Sequence, residues 1–204
     1  MTGALPSAPE RLPREFYTRP TLEVARDLLG QTLVHTFDGV RHSGQIVETE
    51  AYVGPGDAAS HARSGPNGRA AVMWGRGGVA YVYLIYGLHN CFNVVTEREG
   101  TAGAVLVRAL APLENIERAS GPALVCSALH IDRSLSGVDL VESSALFLEP
   151  GAPVPDNAIR VGPRIGVDYA GEWAARPFRF WIGNSPHVSR RRVTGTTFEA
   201  TMLR

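Results

Sequence analysis

Residues 45–52 carry the side chains best suited to acid–base chemistry. Side chains along a β-strand alternate between its two faces, so a strand here places Glu48, Glu50 and Tyr52 together on one face. If that face lines a cleft, a carboxylate beside an aromatic ring can hold a water molecule and act as a general base. If the face is open to water, the pattern is an ordinary solvated edge strand, which the spacing by itself favours.

A second candidate segment, residues 81–87, holds three of the six tyrosines. A strand here turns Tyr81 and Tyr83 to one face and leaves Tyr86 on the other, at the turn before Gly87. An aromatic core is the simplest interpretation of this spacing. Buried tyrosine hydroxyls need hydrogen-bond partners, however, so three tyrosines this close also favour a surface on which bases stack or a ring that wedges into a duplex.

Charge is unevenly distributed along the chain, although twenty basic and twenty acidic residues give a net charge of zero. Residues 58–96 and 173–198 contain arginines and no acid, whereas residues 132–156 are strongly acidic. The first two stretches predict a basic face for phosphate, and scattered solvated charges explain them equally well. All twenty basic residues are arginine, so only the terminal amine could form a Schiff base.

Several functional classes are disfavoured by composition and by missing motifs. The two cysteines, Cys91 and Cys126, are too few for a disulfide framework, which predicts a reducing environment. No apolar run has the length of a membrane span, and the first residues do not resemble a signal peptide. The six histidines show no metal-ligand spacing, and His-Glu-x-x-His, Cys-x-x-Cys and phosphate-loop motifs are absent, so we expect neither metal nor cofactor.

The local pattern predicts an α+β fold. Helices are expected at residues 21–29, 113–119, 122–130 and 171–176. Strands are expected at residues 31–37, 44–53, 79–86, 91–96, 104–109, 145–148 and 178–182. Residues 54–78 are expected to form a long functional loop, and residues 161–166 an ordinary glycine-rich turn.

Strands and helices do not alternate in a βαβ order. We therefore expect a single domain at residues 13–189, with a mixed, mostly antiparallel, curved sheet and flanking helices. Residues 1–12 are rich in proline, alanine and serine and predict a flexible leader. Residues 190–204 predict a basic C-terminal tail, either solvated or bound non-specifically to phosphate.

An ordered set of motifs closely resembles the alkyladenine (3-methyladenine or methylpurine) DNA glycosylase family. The motifs are residues 47–52 followed by Gly54, Pro55, Asp57 and His61, residues 81–87 with Asn93, and residues 104–110, 121–123 and 171–173. Order and spacing agree from about Leu12 to Ser189. Each motif alone is a weak signal, whereas the ordered set is highly specific.

The resemblance implies an enzyme that flips a damaged purine out of double-stranded DNA and hydrolyses its bond to the sugar, leaving an abasic site in base excision repair. The implied substrates are 3-methyladenine, 7-methylguanine, hypoxanthine and ethenoadenine. We expect no lyase activity, because glycosylases that also cut the strand commonly use an amine nucleophile and no lysine is present. We expect a monomer located in the cytoplasm and associated with the nucleoid of a bacterial-type cell.

The resemblance also implies roles for individual residues. Glu50 matches the general base, while Arg108 and the backbone carbonyl of Val167 match the positions that help hold the attacking water. Tyr52, His61 and Tyr83 match the pocket that sandwiches the flipped base, with the His61 backbone amide as a donor.

Further implied roles concern base discrimination and DNA contact. Asn93 matches the residue that crowds the exocyclic amine of normal guanine, and Tyr86 matches the wedge that fills the vacated place in the base stack. The acid-free stretch before the tyrosines is expected to contact the DNA backbone through Arg63, Arg69 and Arg76.

Two positions depart from the family pattern. Asp168 and Tyr169 follow Val167, where the family often has glycine, and a carboxylate there could perturb the ionisation of Glu50 or narrow the pocket. Residues 89–90, His-Asn, replace bulkier or apolar residues beside the wedge, which puts duplex affinity in question.

Two other classes stay open on sequence grounds. A non-catalytic nucleic-acid-binding domain could use the same tyrosines and arginines, but Glu50 would then repel the phosphates of its ligand. A nucleoside or nucleotide hydrolase would have no need of Tyr86 as a wedge.

Overall fold

A nine-stranded sheet organises residues 10–189 and 195–199, the part of the chain that this computed structural model describes. Its strands are β1 (Thr32–Phe37), β2 (Val40–Tyr52), β3 (Ala80–Ile85), β4 (His89–Val95), β5 (Ala104–Glu114), β6 (Leu146–Glu149), β7 (Ile159–Gly162), β8 (Arg179–Ile182) and β9 (Thr196–Thr197). The order is β3-β4-β5-β2-β8-β7-β9, and β1 pairs with both β2 and β6. All of these pairings are antiparallel, which agrees with the predicted α+β fold.

The long strand β2 lies at the centre of the sheet and serves two neighbours on one edge. Its first half pairs with β1, and residues 48–50 pair with β8. The other edge of β2 pairs with β5, with register shifts around residues 46–49. Because strands flank residues 48–50 on both sides, the interpretation of this segment as a solvated edge strand is wrong.

Two turns follow the local chemistry that the sequence predicts. Asp38 and Gly39 join β1 to β2 with φ of 49° and 77°, as a two-residue type I′ hairpin requires. Gly30, with φ of 89°, ends the predicted helix at 21–29. A Cβ on Gly30 would lie 2.4 Å from the Ala152 carbonyl oxygen, so this position also requires the absence of a side chain.

Three short α-helices cover the sheet, namely α1 (Arg14–Tyr17), α2 (Thr21–Asp27) and α3 (Pro122–Ala128). The buried faces of α2 and α3 contribute Val24 and Val125 to one large apolar core together with residues of most strands. Burial of this apolar surface is the main favourable term that holds the helices on the sheet. None of the helices in the described ranges is long and apolar enough to cross a membrane.

The predicted helix at residues 113–119 is wrong. Leu113 and Glu114 are the last residues of β5, which is longer than the predicted strand at 104–109. Asn115 then takes a positive φ of 52°, which no α-helix accommodates. Residues 115–119 are irregular, and the Ala119 carbonyl accepts a hydrogen bond from the Leu110 amide.

Three other segments also differ from their predicted secondary structure. The predicted long loop at 54–78 contains two 3-10 helices, His61–Ser64 and Gly68–Trp74. The predicted turn at 161–166 begins inside β7, whose pairing with β8 is a non-local interaction. The predicted helix at 171–176 is part of a kinked 3-10 segment, Asp168–Ala175.

Parts of the predicted leader and tail pack on the domain. Leu12 is buried, and its amide donates to the Leu148 carbonyl at 2.9 Å. At the other end, β9 pairs with β7, and the buried Phe198 packs edge-on against Phe180 with ring centroids 6.1 Å apart. The rest of the predicted leader and tail, residues 1–9, 190–194 and 200–204, lies outside the described residues, and this includes the arginines at 190–192.

Candidate active site

A cavity of about 500 Å³ lies between the β3–β4 hairpin, the two 3-10 helices and the loop of residues 163–169. This volume is in the range of small-molecule sites. Six aromatic side chains line it, namely Tyr52, His61, Tyr81, Tyr83, Tyr86 and Tyr169. The polar groups on its wall include Arg69, Asn93 and Arg108, so strands and loops that are distant in sequence meet here.

Glu50 lies directly behind the wall of this cavity and is fully buried. The Ile165 backbone amide donates to Glu50 Oε1 at 2.7 Å, and the Tyr52 hydroxyl donates to Oε2 at 3.0 Å. Arg108 Nη1 lies 3.3 Å from the same Oε2. These three partners line the cavity. They hold the carboxylate in one orientation beside the cavity.

Glu48 is the second fully buried carboxylate of β2, on the same face as Glu50, as the alternation predicts. It accepts hydrogen bonds from Arg108 Nε at 3.2 Å and from Arg179 Nε at 2.7 Å. Ser189 donates to it twice, from its amide at 2.7 Å and from its hydroxyl at 3.0 Å. Both carboxylates therefore contact Arg108, one at each end of its guanidinium group.

Arg108 remains cationic between these two acids. Burial lowers the pKa of the Arg108 guanidinium, but Glu50 and Glu48 outweigh that effect, and the net result is a raised pKa. The side chain is 8% exposed and lines the cavity, so it presents a positive charge to whatever the cavity holds.

A buried ion pair anchors the loop that supplies the Ile165 amide. Arg164 Nη1 and Nη2 donate to the two carboxylate oxygens of Asp57 at 2.5 and 2.8 Å, and neither side chain is exposed. Arg164 Nη1 also donates to the Ala51 carbonyl of β2 at 2.9 Å, and its guanidinium lies 4.7 Å from the Tyr52 ring centroid. One arginine thereby fixes the distance between the loop and β2.

The aromatic part of the cavity is built around His61. Its ring packs edge-on against Tyr83 with centroids 4.6 Å apart, and its Nδ1 lies 2.8 Å from the Tyr81 hydroxyl. Burial, Arg69 and Arg63 lower the pKa of His61 to about 4, so the ring is neutral at pH 7. Tyr81 is almost fully buried and supports His61 from behind, so it belongs to the core and not to the stacking surface that three tyrosines suggested.

The other tyrosines of the pocket keep their protons. Burial raises the pKa of Tyr83 and, together with Glu50, the pKa of Tyr52. Burial also raises the pKa of Tyr81 to about 12, against the opposing effect of Arg69. All three hydroxyls are therefore hydrogen-bond donors at neutral pH.

Asn93 is buried in the cavity wall on β4. Its side-chain amide nitrogen donates to the carbonyls of Tyr81 at 3.0 Å and Cys91 at 3.3 Å. These bonds hold the side chain rigidly against the neighbouring strand. Asn93 therefore lies where it can restrict which bases fit the cavity. Its effect on guanine stays a prediction.

The loop after β7 brings Val167 to the cavity wall. Its carbonyl accepts a hydrogen bond from the Ala170 amide at 2.9 Å and retains a second lone pair. Asp168 is exposed and does not line the cavity, whereas Tyr169 does and is 69% exposed. Of the two residues that depart from the family pattern, Tyr169 therefore lines the cavity and Asp168 does not.

The tip of the β3–β4 hairpin, residues 86–88, projects from the rim of the cavity. Tyr86 is 88% exposed and has a positive φ of 54°, followed by Gly87 at 69°. Leu88 beside it is also largely exposed, and His89 begins β4 as an exposed residue. An exposed aromatic ring held by a tight turn at the cavity rim has the position that a wedge requires.

The three arginines of the acid-free stretch have different surroundings. Arg69 lines the cavity, with its guanidinium 5.6 Å from the Tyr83 ring centroid, and Arg63 lies on the exposed face of the 3-10 helix before it. Arg76 instead pairs with Asp139 at 2.6 Å and with Glu142 at 3.4 Å, both from the acidic stretch. Arginines from one stretch of sequence therefore differ in whether an acidic side chain pairs with them.

Sequence reasoning missed three groups that hold the site, namely Arg164, Arg179 and Ser189. Arg179 lies in the basic stretch 173–198, which predicts a face for phosphate, but it is fully buried against Glu48. The available signal was its place inside an apolar strand, Phe178–Ile182, where a charge needs a buried partner. Nothing local pointed to Ser189 or to the pair of Arg164 with Asp57.

No three His, Cys, Asp or Glu side chains come together as a possible metal site within residues 10–189 and 195–199. Cys91 and Cys126 are both free thiols and both buried.

Residues 15–186 match the family model described as Methylpurine-DNA glycosylase. Three relatives share the name "Putative 3-methyladenine DNA glycosylase". The protein from Myxococcus xanthus (strain DK1622) is 54% identical over 182 residues, which cover 88% of this chain and 93% of the relative. The protein from Methanocella arvoryzae is 52% identical over 194 residues, covering 88% and 96%. The protein from Legionella pneumophila (strain Corby) is 49% identical over 182 residues, covering 88% and 98%.

The family match covers the β2 carboxylates, the tyrosine hairpin and the loop that closes over Glu50. Sequence motifs, cavity and relatives agree, and the chain belongs to the methylpurine-DNA glycosylase family.

Proposed function

We propose that this chain is a monofunctional DNA glycosylase that removes alkylated and deaminated purines from duplex DNA. The observation that carries the proposal is the position of Glu50, a fully buried carboxylate directly behind an aromatic cavity of base-binding size. Removing a carboxylate from water costs free energy that its hydrogen bonds at best offset, so a buried carboxylate beside a cavity supports a chemical role for Glu50.

Glu50 would act on a water molecule positioned between it and the sugar. The water oxygen bonds to C1′ while its proton passes to Glu50, the bond from C1′ to the purine nitrogen breaks, and the electron pair leaves with the base. Positive charge develops on the sugar in the transition state, and the carboxylate stabilises it as well as polarising the water. Arg108 and the Val167 carbonyl are the proposed partners of that water.

The flipped base would lie among Tyr52, His61 and Tyr83. Aromatic faces attract cations, so 3-methyladenine and 7-methylguanine, which already carry positive charge, would bind well. The same positive charge makes these bases leave readily. Hypoxanthine and ethenoadenine, also proposed as substrates, need a proton on the departing base. A charged His61 does not supply it at neutral pH, because its pKa is about 4, so the proposed proton source for these neutral bases is water.

Outside the cavity, Tyr86 would wedge into the base stack, and Arg63 and Arg69 would contact the DNA backbone. Arg76, the third arginine expected at the backbone, is engaged with Asp139, so it contributes least to this proposal. The product would be an intact abasic site, because the twenty basic side chains include no primary amine for a lyase step.

The test measures free base and alkali-labile sites after incubation with duplexes that carry one hypoxanthine or one ethenoadenine, and with methylated DNA. We expect base release without direct strand cleavage by the wild type. Glu50→Gln should lower release about a thousandfold, because it removes the general base and the negative charge facing the sugar. Binding to an abasic-site mimic should be kept.

Glu99→Gln is the matched control, since Glu99 is an exposed glutamate remote from the cavity, and it should release base at the wild-type rate. Equal release by Glu50→Gln and wild type would contradict the role of Glu50. No release from any substrate, with duplex binding intact, would favour the non-catalytic binding domain instead.

A further inference from the structure

The four side chains Glu48, Glu50, Arg108 and Arg179 form a buried charge cluster behind the cavity, with two acids and two arginines at most 8% exposed. We propose that Glu48 is a positioning residue that restrains Arg108 and thereby sets how strongly Arg108 acts on Glu50. The inference rests on the proposed function, because it assigns Glu48 a role toward the base of that reaction.

The contacts of Arg108 are divided between the two acids. Its Nε donates to Glu48 Oε1 at 3.2 Å, and its Nη1 lies 3.3 Å from Glu50 Oε2. A guanidinium and a carboxylate form their strongest pair through two parallel hydrogen bonds. Glu48 holds the guanidinium through Nε, and in this orientation Arg108 approaches Glu50 with Nη1 and does not form two parallel hydrogen bonds with it.

Glu48 is itself held from the C-terminal part of the chain. Arg179 on β8 donates to it at 2.7 Å, and Ser189 donates with both amide and hydroxyl. Within the described residues, Arg179 Nη1 and Nη2 are buried without a hydrogen-bond partner, and the guanidinium lies 4.7 Å from the Trp181 ring centroid. Glu48 is therefore the counter-charge of Arg179. Because it also pairs with Arg108, its negative charge is shared between two arginines.

Glu48 does not reach the reacting atoms. Its four hydrogen bonds go to Arg108, Arg179 and Ser189, and it does not line the cavity. Arg108 contacts both acids, so the main route from Glu48 to the reaction passes through Arg108. Other titratable or charged groups close enough to act on Glu50 or on its partner Tyr52 are Tyr83, Cys91 and Arg164.

Two substitutions in the buried charge cluster should move the titration of Glu50 in opposite directions. Glu48→Gln frees Arg108 to pair fully with Glu50 and removes a negative neighbour, so the ionised form of Glu50 gains stability. Arg179→Met removes a positive charge and leaves Glu48 with Arg108 alone, so the ionised form of Glu50 loses stability. A purely structural role for the cluster predicts lost thermal stability in both variants and no change in the titration.

The experiment follows two readouts across the acidic pH range. The first is the single-turnover rate of base release from the hypoxanthine duplex. The second is the carboxyl titration of Glu50 by NMR with ¹³C-labelled glutamate, assigned as the signal that Glu50→Gln lacks. We expect Glu48→Gln to move the acid limb and the titration midpoint to lower pH, and Arg179→Met to move both to higher pH. The plateau rate of Glu48→Gln should fall about tenfold, because Glu50 becomes a weaker base.

Three further variants show whether the effect passes through Arg108. Ser189→Ala removes one hydrogen bond to Glu48 without changing any charge, and its midpoint should equal that of the wild type. In an Arg108→Gln background, adding Glu48→Gln should shift the midpoint by much less than it does in the wild type, because only the direct effect of the lost negative charge remains. A full shift in that background would overturn the proposal, because Glu48 would then act on Glu50 directly.

An unchanged Glu50 midpoint in folded Glu48→Gln would also overturn the inference. If Glu48→Gln does not fold, Arg179→Met alone decides between a raised midpoint, which supports it, and an unmoved one, which refutes it. Absence of base release by the wild type would contradict the proposed function, while the NMR titration still tests the coupling of Glu48 to Glu50.

Discussion

The buried charge cluster and the hairpin tip at residues 86–88 are built in opposite ways. Each contact of Glu48 joins residues that are 60 to 141 positions apart in the chain, and the side chains are almost completely excluded from water. The hairpin tip depends on a few consecutive residues, and Tyr86 and Leu88 are 88% and 76% exposed. The chemistry therefore depends on long-range packing, whereas the proposed DNA contact depends on a local turn.

This difference predicts which property each substitution changes. A buried charge that loses its partner destabilises the fold and the site together, because desolvation has no compensation. An exposed ring on a turn contributes little to the fold, so its loss should appear in DNA binding alone.

The largest effect is expected for Asp57→Asn, which removes the counter-charge of the buried Arg164. We expect the free energy of unfolding to fall by about 3–5 kcal/mol, because Arg164 remains buried beside a neutral side chain. Base release should also fall, since Arg164 loses its ion pair with Asp57 and the neighbouring Ile165 amide is held less firmly against Glu50. Urea denaturation and base release at a temperature where the variant is folded measure both effects.

Asp168→Asn is the matched control for this substitution. Asp168 is an exposed aspartate next to the same loop, and its change should stay within about 0.5 kcal/mol. If Asp57→Asn were as stable as Asp168→Asn, the loop would have another anchor, and the contrast between buried and exposed charges would fail.

An intermediate effect is expected for Tyr86→Ala. We expect the Kd for lesion-containing duplex to rise by roughly fivefold to a hundredfold, which corresponds to the loss of one base–aromatic stacking interaction. The free energy of unfolding should not change, because the ring is almost entirely exposed. Fluorescence anisotropy on duplex and on single-stranded DNA of the same sequence separates insertion from general binding. An equal loss on both DNA forms would show that Tyr86 does not insert.

The smallest effect is expected for the exposed arginines and depends on their acidic partners. Arg69→Gln should reduce the slope of log K against log salt for duplex binding by about 1, as expected when one phosphate contact is lost. Arg76→Gln is the comparison, because Arg76 already pairs with Asp139 and Glu142 and should leave the slope unchanged. Identical slopes for the two variants would mean that these acids do not shield Arg76 from DNA.

Several strands and tight turns around the candidate active site could be predicted from the sequence. Glu48, Glu50 and Tyr52 share one face of β2 as predicted, because Arg108 contacts both carboxylates and Tyr52 donates to Glu50. The Asp38-Gly39 turn and the β3–β4 hairpin are also confirmed. These features depend on the period of a strand and on the φ angles of single residues, which the chain carries locally.

Sequence reasoning failed where a distant strand or partner determines the local conformation. The segment 113–119 has an apolar spacing that fits a helix, yet residues 113–114 continue β5, where Glu114 pairs with Ser43 of β2, and residues 115–119 are irregular. Charge alone did not separate exposed from buried arginines, since Arg76 and Arg179 lie in similarly acid-free stretches and only the apolar neighbours of Arg179 distinguish them.

The sequence by itself determined the residue types of the site, their order, the absence of any side-chain amine, and the family to which the motifs belong. Only the tertiary structure decided which carboxylate faces which arginine. It placed Glu50 directly behind the cavity and Glu48 in contact with Arg108, Arg179 and Ser189. The reason is that buried charges interact strongly over a few ångströms with any part of the chain that packs beside them, regardless of sequence separation.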